Sequence, residues 1–311
     1  MGKIKFTKEI KDEILKISYK YTSTELSKMY NCSRSTILKL WMDNNYKKGT
    51  HNIYYVNKNY FNEIDTANKA YILGFLASDG TLYKRNDNTQ GLIQIKLQES
   101  DEHILYDILQ DMDSTYPVNH VKNGEFTQAV ISIASQDLYN QLSDKGLHPN
   151  KTWDLNLNHI LSNIPEKLHI DFIRGYFDGD GHIGRFNENI ISKVLINFAC
   201  PYNFGLDLQK FFKDKYDINS FIFIDNHREY SNTFCTVGIY SAIDKYKLLK
   251  LMYYDEKNLC LKRKCKIAKQ VINAIENNVT NRAENIKAVN GFYDNGNTDE
   301  VRKGGFGSSG K

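Results

Sequence analysis

The sequence contains no apolar run that approaches the roughly 20 residues needed to cross a bilayer, and its first residues lack the apolar core of a secretory signal. Its five cysteines are scattered, with no Cys-x-x-Cys pair and no His-rich segment to accompany them. These absences argue against a membrane protein, a disulfide framework and a zinc site. We therefore expect a cytoplasmic protein without a membrane partner. Abundant Asn, Lys, Ile and Tyr fit an AT-rich genome, which indicates a bacterial or phage-infected cell, with an organelle as the alternative.

Charge is unevenly distributed along the chain. The net charge of the 311 residues is +4, but residues 1–50 carry eleven Lys or Arg against five Asp or Glu. That segment is therefore strongly basic, while the remainder is slightly acidic, and a second basic cluster lies at 245–269. Solvated helix faces would explain either cluster alone. Basic character in both places indicates a polyanionic partner.

The first 48 residues predict a helix-turn-helix domain. Thr22 and Glu25 have the spacing of a capping box, Asn31-Cys32 is predicted as the turn, and Ser33 as the N-cap of the third helix. Apolar residues at helical spacing are expected to face inward, and these are Ile10, Ile14, Ile17, Leu26, Met29, Tyr30, Ile37, Leu40 and Trp41. The second helix of such a pair lies in the DNA major groove. The alternative is an ordinary three-helix packing module.

The strongest signal is an internal repeat. AYILGFLASDGTL (70–82) and DFIRGYFDGDGHI (171–183) align with Gly74 on Gly175, Asp79 on Asp180 and Gly80 on Gly181. After each copy the pattern continues as strands, a helix, a hairpin and another helix, and the first hairpin is predicted to turn at Asn123-Gly124. Similarity over about a hundred residues indicates a duplicated fold.

These repeats resemble the LAGLIDADG homing endonucleases in their single-chain, two-motif form, with ILGFLASDG (72–80) and IRGYFDGDG (173–181) at the nine motif positions. The resemblance implies an α+β fold in which an αββαββα unit occurs twice and its two antiparallel sheets form a saddle around a pseudo-twofold axis. The predicted organisation is a helix-turn-helix domain at 1–48, a linker at 49–68, repeats at 69–165 and 166–272, and a C-terminal tail at 273–311 that is mobile or touches DNA.

The resemblance also implies an active site at the two motif helices. Gly74 and Gly175 would let the helices approach closely, and Gly80 and Gly181 would end them in the left-handed conformation. Asp79 and Asp180 would bind divalent metal, with the backbone carbonyls of the preceding residues, Ser78 and Gly179, as further ligands. Oxygen ligands suit Mg²⁺, with Mn²⁺ as a substitute. Asp178, at the sixth motif position, is expected at the surface or in support of the site.

A basic residue beyond the last helix of each repeat is part of the family pattern. The alignment places Lys151 opposite Lys264, and both are candidates for catalytic support or phosphate contact. Plain surface lysines are the alternative, and Lys262 or Arg263 could take the role in the second repeat.

DNA contacts are expected from one domain and two sheets. In the helix-turn-helix the candidates are Arg34, Ser35, Thr36 and Lys39. In the first sheet they are Gln94, Lys96 and Gln98, which alternate with buried residues along one strand. In the second sheet they are Arg185, Lys193 and Asn197, although solvated polar strand faces look the same in sequence.

The predicted function is therefore site-specific cleavage of double-stranded DNA by a monomer. The alternative is a non-cleaving DNA- or RNA-binding protein on the same fold, either a transcription regulator or a group I intron maturase, with intron RNA as a further candidate partner. Retention of both aspartates favours cleavage.

Overall fold

The computed structural model describes residues 6–44, 46, 54–84, 90–150, 154–186, 194–224, 234–255 and 257–277. Lys151, Lys193 and the tail beyond 277 lie outside these ranges. The chain divides into two compact units, Met1–Gly179 and Asp180–Lys311. Within the described ranges, no helix has both the length and the apolar character needed to cross a membrane.

Three short helices form the N-terminal module: α1 (Lys8–Ile17), α2 (Ser23–Met29) and α3 (Arg34–Asp43). The predicted capping box is confirmed, because the Thr22 hydroxyl accepts from the backbone N–H of Glu25 and the Glu25 side chain accepts from that of Thr22. Ser33 is confirmed as the N-cap of α3. The predicted turn is also confirmed, since Asn31 adopts the left-handed conformation with φ 47°.

The core of this module consists of Ile14, Leu26, Ile37, Leu40 and Trp41, with Ile10, Ile17 and Tyr30 partly buried against it. The predicted inward position of Met29 is wrong, because its side chain is 55% exposed. The indole N–H of Trp41 donates a 2.6 Å hydrogen bond to Ser18 Oγ, which satisfies its one polar group.

The described part of the predicted linker, 54–66, packs against the first repeat. Tyr60 and Phe61 are buried, and the Tyr60 hydroxyl donates to the carboxylate of Asp111. Burial and this hydrogen bond raise the pKa of Tyr60. The backbone N–H of Phe61 donates to Gln141 Oε1 at 3.0 Å. Aromatic side chains without helical or strand periodicity therefore fix this segment in place.

The first repeat forms one four-stranded antiparallel sheet with its helices. The order is α4 (Ala67–Ser78), β1 (Gly80–Lys84), β2 (Gly91–Gln98), α5 (His103–Asp111), β3 (Asn119–Asn123), β4 (Phe126–Ala134) and α6 (Gln136–Asp144). The strands are arranged β1-β2-β4-β3. The hairpin between β3 and β4 pairs Asn123 with Phe126, so its loop is Gly124-Glu125 rather than the predicted Asn123-Gly124. Gly124 has φ +63°, which suits the first loop position of this turn.

The second repeat has the same order. After α7 (Leu157–Ser162) come α8 (His169–Asp180), β5 (Gly181–Ile183), β6 (Ile196–Pro201), α9 (Tyr202–Tyr216), β7 (Phe221–Ile224), β8 (Phe234–Ile239) and α10 (Ala242–Met252), with a further helix, α11, at 262–277. The strands are arranged β5-β6-β8-β7. The predicted α+β fold class, with an αββαββα unit occurring twice, is confirmed.

Candidate metal and nucleic-acid site

The two motif helices, α4 and α8, pack backbone against backbone. A Cβ atom added to Gly74 would lie 2.0 Å from the backbone oxygen of Phe172, and one added to Gly175 would lie 2.0 Å from that of Tyr71. The contact is reciprocal, since Tyr71 and Phe172 are equivalent positions of the repeat. Any side chain at either glycine would push the helices apart.

The sequence of α4 explains its central position. Thr66 caps its first turn by accepting from the backbone N–H of Lys69, and every residue from Ala70 to Ala77 is buried. A helix that is apolar on all sides is stable only inside a core. In α8, residues Ile170 to Asp178 are likewise buried.

Unlike α4, α8 carries charged side chains into this core. The Tyr71 hydroxyl donates a 2.8 Å hydrogen bond to Asp178 Oδ2, and both residues are fully buried. Arg174 pairs with Asp171 at 2.7 Å, and its guanidinium lies 5.2 Å from the centre of the Tyr71 ring. The surface alternative for Asp178 is therefore wrong, and the carboxylate takes part in holding the two helices together.

Both predicted metal-binding aspartates stand at helix ends and are half-buried. Asp79 is the C-cap of α4, and Asp180 is the last residue of α8. The backbone of Gly179 lies against the end of α4, because an added Cβ there would be 2.0 Å from Ser78 Oγ and 3.3 Å from the backbone nitrogen of Asp79.

The prediction that Gly80 and Gly181 end their helices in the left-handed conformation is wrong. Neither has a positive φ, because each begins a strand directly after its helix. Gly80 is instead required because there is no room for a side chain at this position. A Cβ atom there would lie 2.5 Å from the backbone oxygen of Leu76.

The donor set at these helix ends suits a hard cation. Carboxylate and backbone carbonyl oxygens are the ligands that Mg²⁺ and Mn²⁺ prefer. Each carboxylate also stands at the negative end of a helix dipole, which costs about 0.3–1 kcal/mol unless positive charge is nearby. Among the described residues, no three His, Cys, Asp or Glu side chains come together as a metal-binding group.

Lys264, on α11, lies at the beginning of the second sheet. Its side chain is only 2% exposed, and its ammonium group donates to the backbone oxygen of Gly181, the residue after Asp180. The plain-surface alternative for Lys264 is therefore wrong. The neighbouring Lys262 and Arg263 are exposed.

A buried thiol pair also lies near Asp180. Cys200 and Cys235 face each other across β6 and β8, with their Sγ atoms 3.8 Å apart. Contact with Cys235, burial and the charge of Asp180 together raise the pKa of the Cys200 thiol. Sequence reasoning missed this pair, and the only available signal was the alternation of apolar residues along the two strands.

The predicted contacts of the first sheet lie on one face of β2. Gln94 is half-buried and donates to Ser132 Oγ at 2.8 Å, whereas Lys96 and Gln98 are exposed. In the second sheet, Asn197 is half-buried on the outward face of β6, and Arg185 is exposed just beyond β5.

In the N-terminal module, Arg34, Ser35 and Lys39 are exposed and Thr36 is half-buried. The guanidinium of Arg34 donates to Ser23 Oγ at 3.1 Å, so α2 helps to orient it.

Comparisons with known proteins give matches among solved structures alone. No family profile matches the chain, and no curated protein sequence matches it. Among the solved structures that it matches are the homing endonucleases I-DmoI and I-WcaI. A structure of I-DmoI in complex with DNA and Ca is 16% identical, with a TM-score of 0.43, and the match covers 68% of this chain and 97% of that one.

Two further matches are similar in identity and TM-score. I-WcaI bound to its DNA recognition sequence is 16% identical with a TM-score of 0.44, over 63% of this chain and 84% of that one. The K262A mutant of I-SmaMI is 15% identical with a TM-score of 0.42, over 73% of this chain and 99% of that one. Other I-DmoI structures contain DNA with Mn or Mg.

Proposed function

We propose that this protein is a site-specific endonuclease that cleaves double-stranded DNA, a single-chain, two-motif member of the LAGLIDADG homing endonuclease family. The observation that carries the proposal is the pair of motif helices, packed reciprocally through Gly74 and Gly175 and each ending in an Asp-Gly pair. The duplicated αββαββα order supports it. Because one chain contains both motifs, it acts as a monomer.

Asp79 and Asp180 would hold divalent cations, with the carbonyl oxygens of Ser78 and Gly179 as further ligands. Mg²⁺ is the proposed physiological ion, and Mn²⁺ is expected to substitute for it. The bound ion would supply charge stabilisation at the scissile phosphate and lower the pKa of an attacking water. The same cation offsets the repulsion between each carboxylate and the dipole of its own helix.

The remaining residues bind and position the duplex. Buried Lys264, held at the backbone of Gly181, supplies positive charge beside Asp180 and is the proposed supporting lysine of the second repeat, with Lys151 in the first. The outward faces of β2 and β6 read base edges. The N-terminal module, through Arg34 and its neighbours on α3, provides a second contact with the target and raises affinity through effective concentration.

The test begins with the target, which can be selected from a randomised duplex library in Ca²⁺ with the full chain. A plasmid that carries the selected sequence is then incubated with Mg²⁺ or Mn²⁺. We expect cleavage of both strands at one position. The Asp79→Asn and Asp180→Asn variants should each lose more than about a hundredfold in rate, because metal-ion charge stabilisation contributes several kcal/mol.

Asp144→Asn is the matched control, since Asp144 also ends a helix and is exposed. This control should cleave like the unmodified protein. Cleavage that survives the double Asp79→Asn, Asp180→Asn substitution would refute the proposed site. Specific binding without cleavage by the unmodified protein would instead favour a regulator or maturase.

A further inference from the structure

The outward faces of the two sheets differ in chemistry at equivalent positions. Register defines the equivalence, because Ile95 pairs with Gly80 in the first sheet as Phe198 pairs with Gly181 in the second. Counting from these pairs along the outward face, Lys96 corresponds to Ala199 and Gln98 to Pro201. The same count through the neighbouring strands matches Gln128 with Phe234, Ser132 with Gly238, and Asn119 with Phe223. At these positions the first face is therefore polar and the second is largely apolar, and the exposed apolar residues of the first face, Val121 and Phe126, lie at the hairpin end of its sheet.

Three exposed aromatic side chains form the aromatic platform of the second sheet: Phe221, Phe223 and Tyr240. They are 54%, 49% and 43% exposed, respectively. The Tyr240 ring is 5.4 Å from that of Phe221 and 5.8 Å from that of Phe223, both edge to face. Such geometry is favourable for aromatic pairs, so the rings hold one another in a defined arrangement.

A glycine makes room for this arrangement. Gly238 lies opposite Phe221 in the sheet, and a Cβ atom added there would be 3.1 Å from a ring carbon of Tyr240 and 3.1 Å from Asn197 Oδ1. The Tyr240 ring therefore lies across the bare backbone of Gly238, beside the amide of Asn197. The aromatic platform and Asn197, which is a predicted base contact, therefore form one continuous surface.

We infer that the aromatic platform reads thymine 5-methyl groups in the major groove of one half of the DNA target. Thymine is the one base that presents a methyl group there, and apolar side chains, Phe among them, contact it. The inference rests on the proposed function, and it adds that the two halves of the target are read differently. The amide and ammonium groups of the first sheet form hydrogen bonds, whereas the second sheet recognises methyl groups beside the hydrogen bonds of Asn197.

The residues next to the aromatic platform favour DNA as the molecule that binds there. Half-buried Asn197 and Thr236 lie on the same face, the exposed His182 pairs with Asn197 in the sheet, and Arg185 follows the edge strand β5. This mixture of apolar centre and polar or basic margin matches the thymine methyl groups and the phosphates that flank them.

The experiment replaces thymine by deoxyuracil, which removes only the methyl group, in one half of the selected duplex at a time. With the full chain in Ca²⁺, we expect affinity to fall about fourfold for each contacted methyl in one half, as burial of one carbon predicts. Replacement in the other half should have a smaller effect, because the central part of the first sheet's outward face is polar. The Phe223→Ala, Tyr240→Ala double variant should bind the thymine and deoxyuracil duplexes equally well.

Tyr106→Ala is the matched control, because Tyr106 is an exposed aromatic residue on α5, outside both sheets. It should retain the full preference for thymine. Equal binding of thymine and deoxyuracil by the unmodified protein, or a preference that persists in the double variant, would overturn the inference. Self-association that disappears in the double variant would overturn it too, by assigning the platform to a protein interface. Failure to bind any duplex would instead refute the proposed function.

Discussion

The hydrogen bond between Tyr71 and Asp178 offers a quantitative test of the packing of α4 against α8. Both residues are fully buried, and their oxygens are 2.8 Å apart. Tyr71→Phe leaves a buried carboxylate oxygen short of a donor, which should lower the free energy of unfolding by about 1–3 kcal/mol. Asp178→Ala removes the acceptor of this tyrosine hydrogen bond from the same core and should cost at least as much.

The double variant is expected to recover part of this loss, because the repeat already contains the apolar version of the pair. The positions equivalent to Tyr71 and Asp178 are Phe172 and Ala77, both buried and neither with a polar side-chain atom. Tyr71→Phe combined with Asp178→Ala should therefore be more stable than the sum of the single effects by about 1–2 kcal/mol.

Equilibrium urea unfolding of the four proteins, followed by far-ultraviolet circular dichroism, measures this coupling. Single effects that add to within about 0.5 kcal/mol would refute the reasoning, because residues joined by a buried hydrogen bond should not behave independently.

Two further predictions concern the first unit. Gly175→Ala should reduce the free energy of unfolding by about 3 kcal/mol or more, since its Cβ would lie 2.0 Å from the backbone oxygen of Tyr71; a loss below about 1 kcal/mol in urea unfolding would contradict the close approach. Burial lowers the pKa of Lys145 from its ordinary 10.5. As pH rises towards 10.5, the folded state therefore binds fewer protons than the unfolded state. The free energy of unfolding should increase across that pH range. Lys145→Met should remove this increase in unfolding measured at several pH values, and an unchanged pH profile would contradict it.

The sequence predicts those parts of the fold in which a residue has the same role in its local segment and in the folded protein. The capping box at Thr22 and Glu25 is satisfied by the backbone of its own helix, so it is visible without tertiary information. The motif helices were recognisable because glycine in the middle of an apolar helix and an Asp-Gly pair at its end occur twice, about a hundred residues apart.

Other features depend on contacts between distant segments. Lys264 belongs to a basic stretch that has the appearance of an exposed helix face, yet it is buried against Gly181. The packing of Tyr60 and Phe61 has no periodic signature, since what fixes them are side chains far along the chain.

The aromatic platform shows a third limit. FIFI at 221–224 has the composition of a fully buried strand, because alternation is lost when both faces are apolar. Only the register of β7 against β8 identifies Phe221 and Phe223 as outward-facing.

The reciprocal contact of Gly74 and Gly175 also bears on how such a chain can be divided. A fragment that ended after α7 would leave the glycine surface of α4 open to water, and the helix most similar in shape to the missing α8 would be another α4. Two copies of that fragment would each offer the groove that the other needs. Gene duplication followed by fusion would then convert such a pair into one polypeptide, after which the two helices would be free to diverge, as the contrast between Ala77 and Asp178 illustrates.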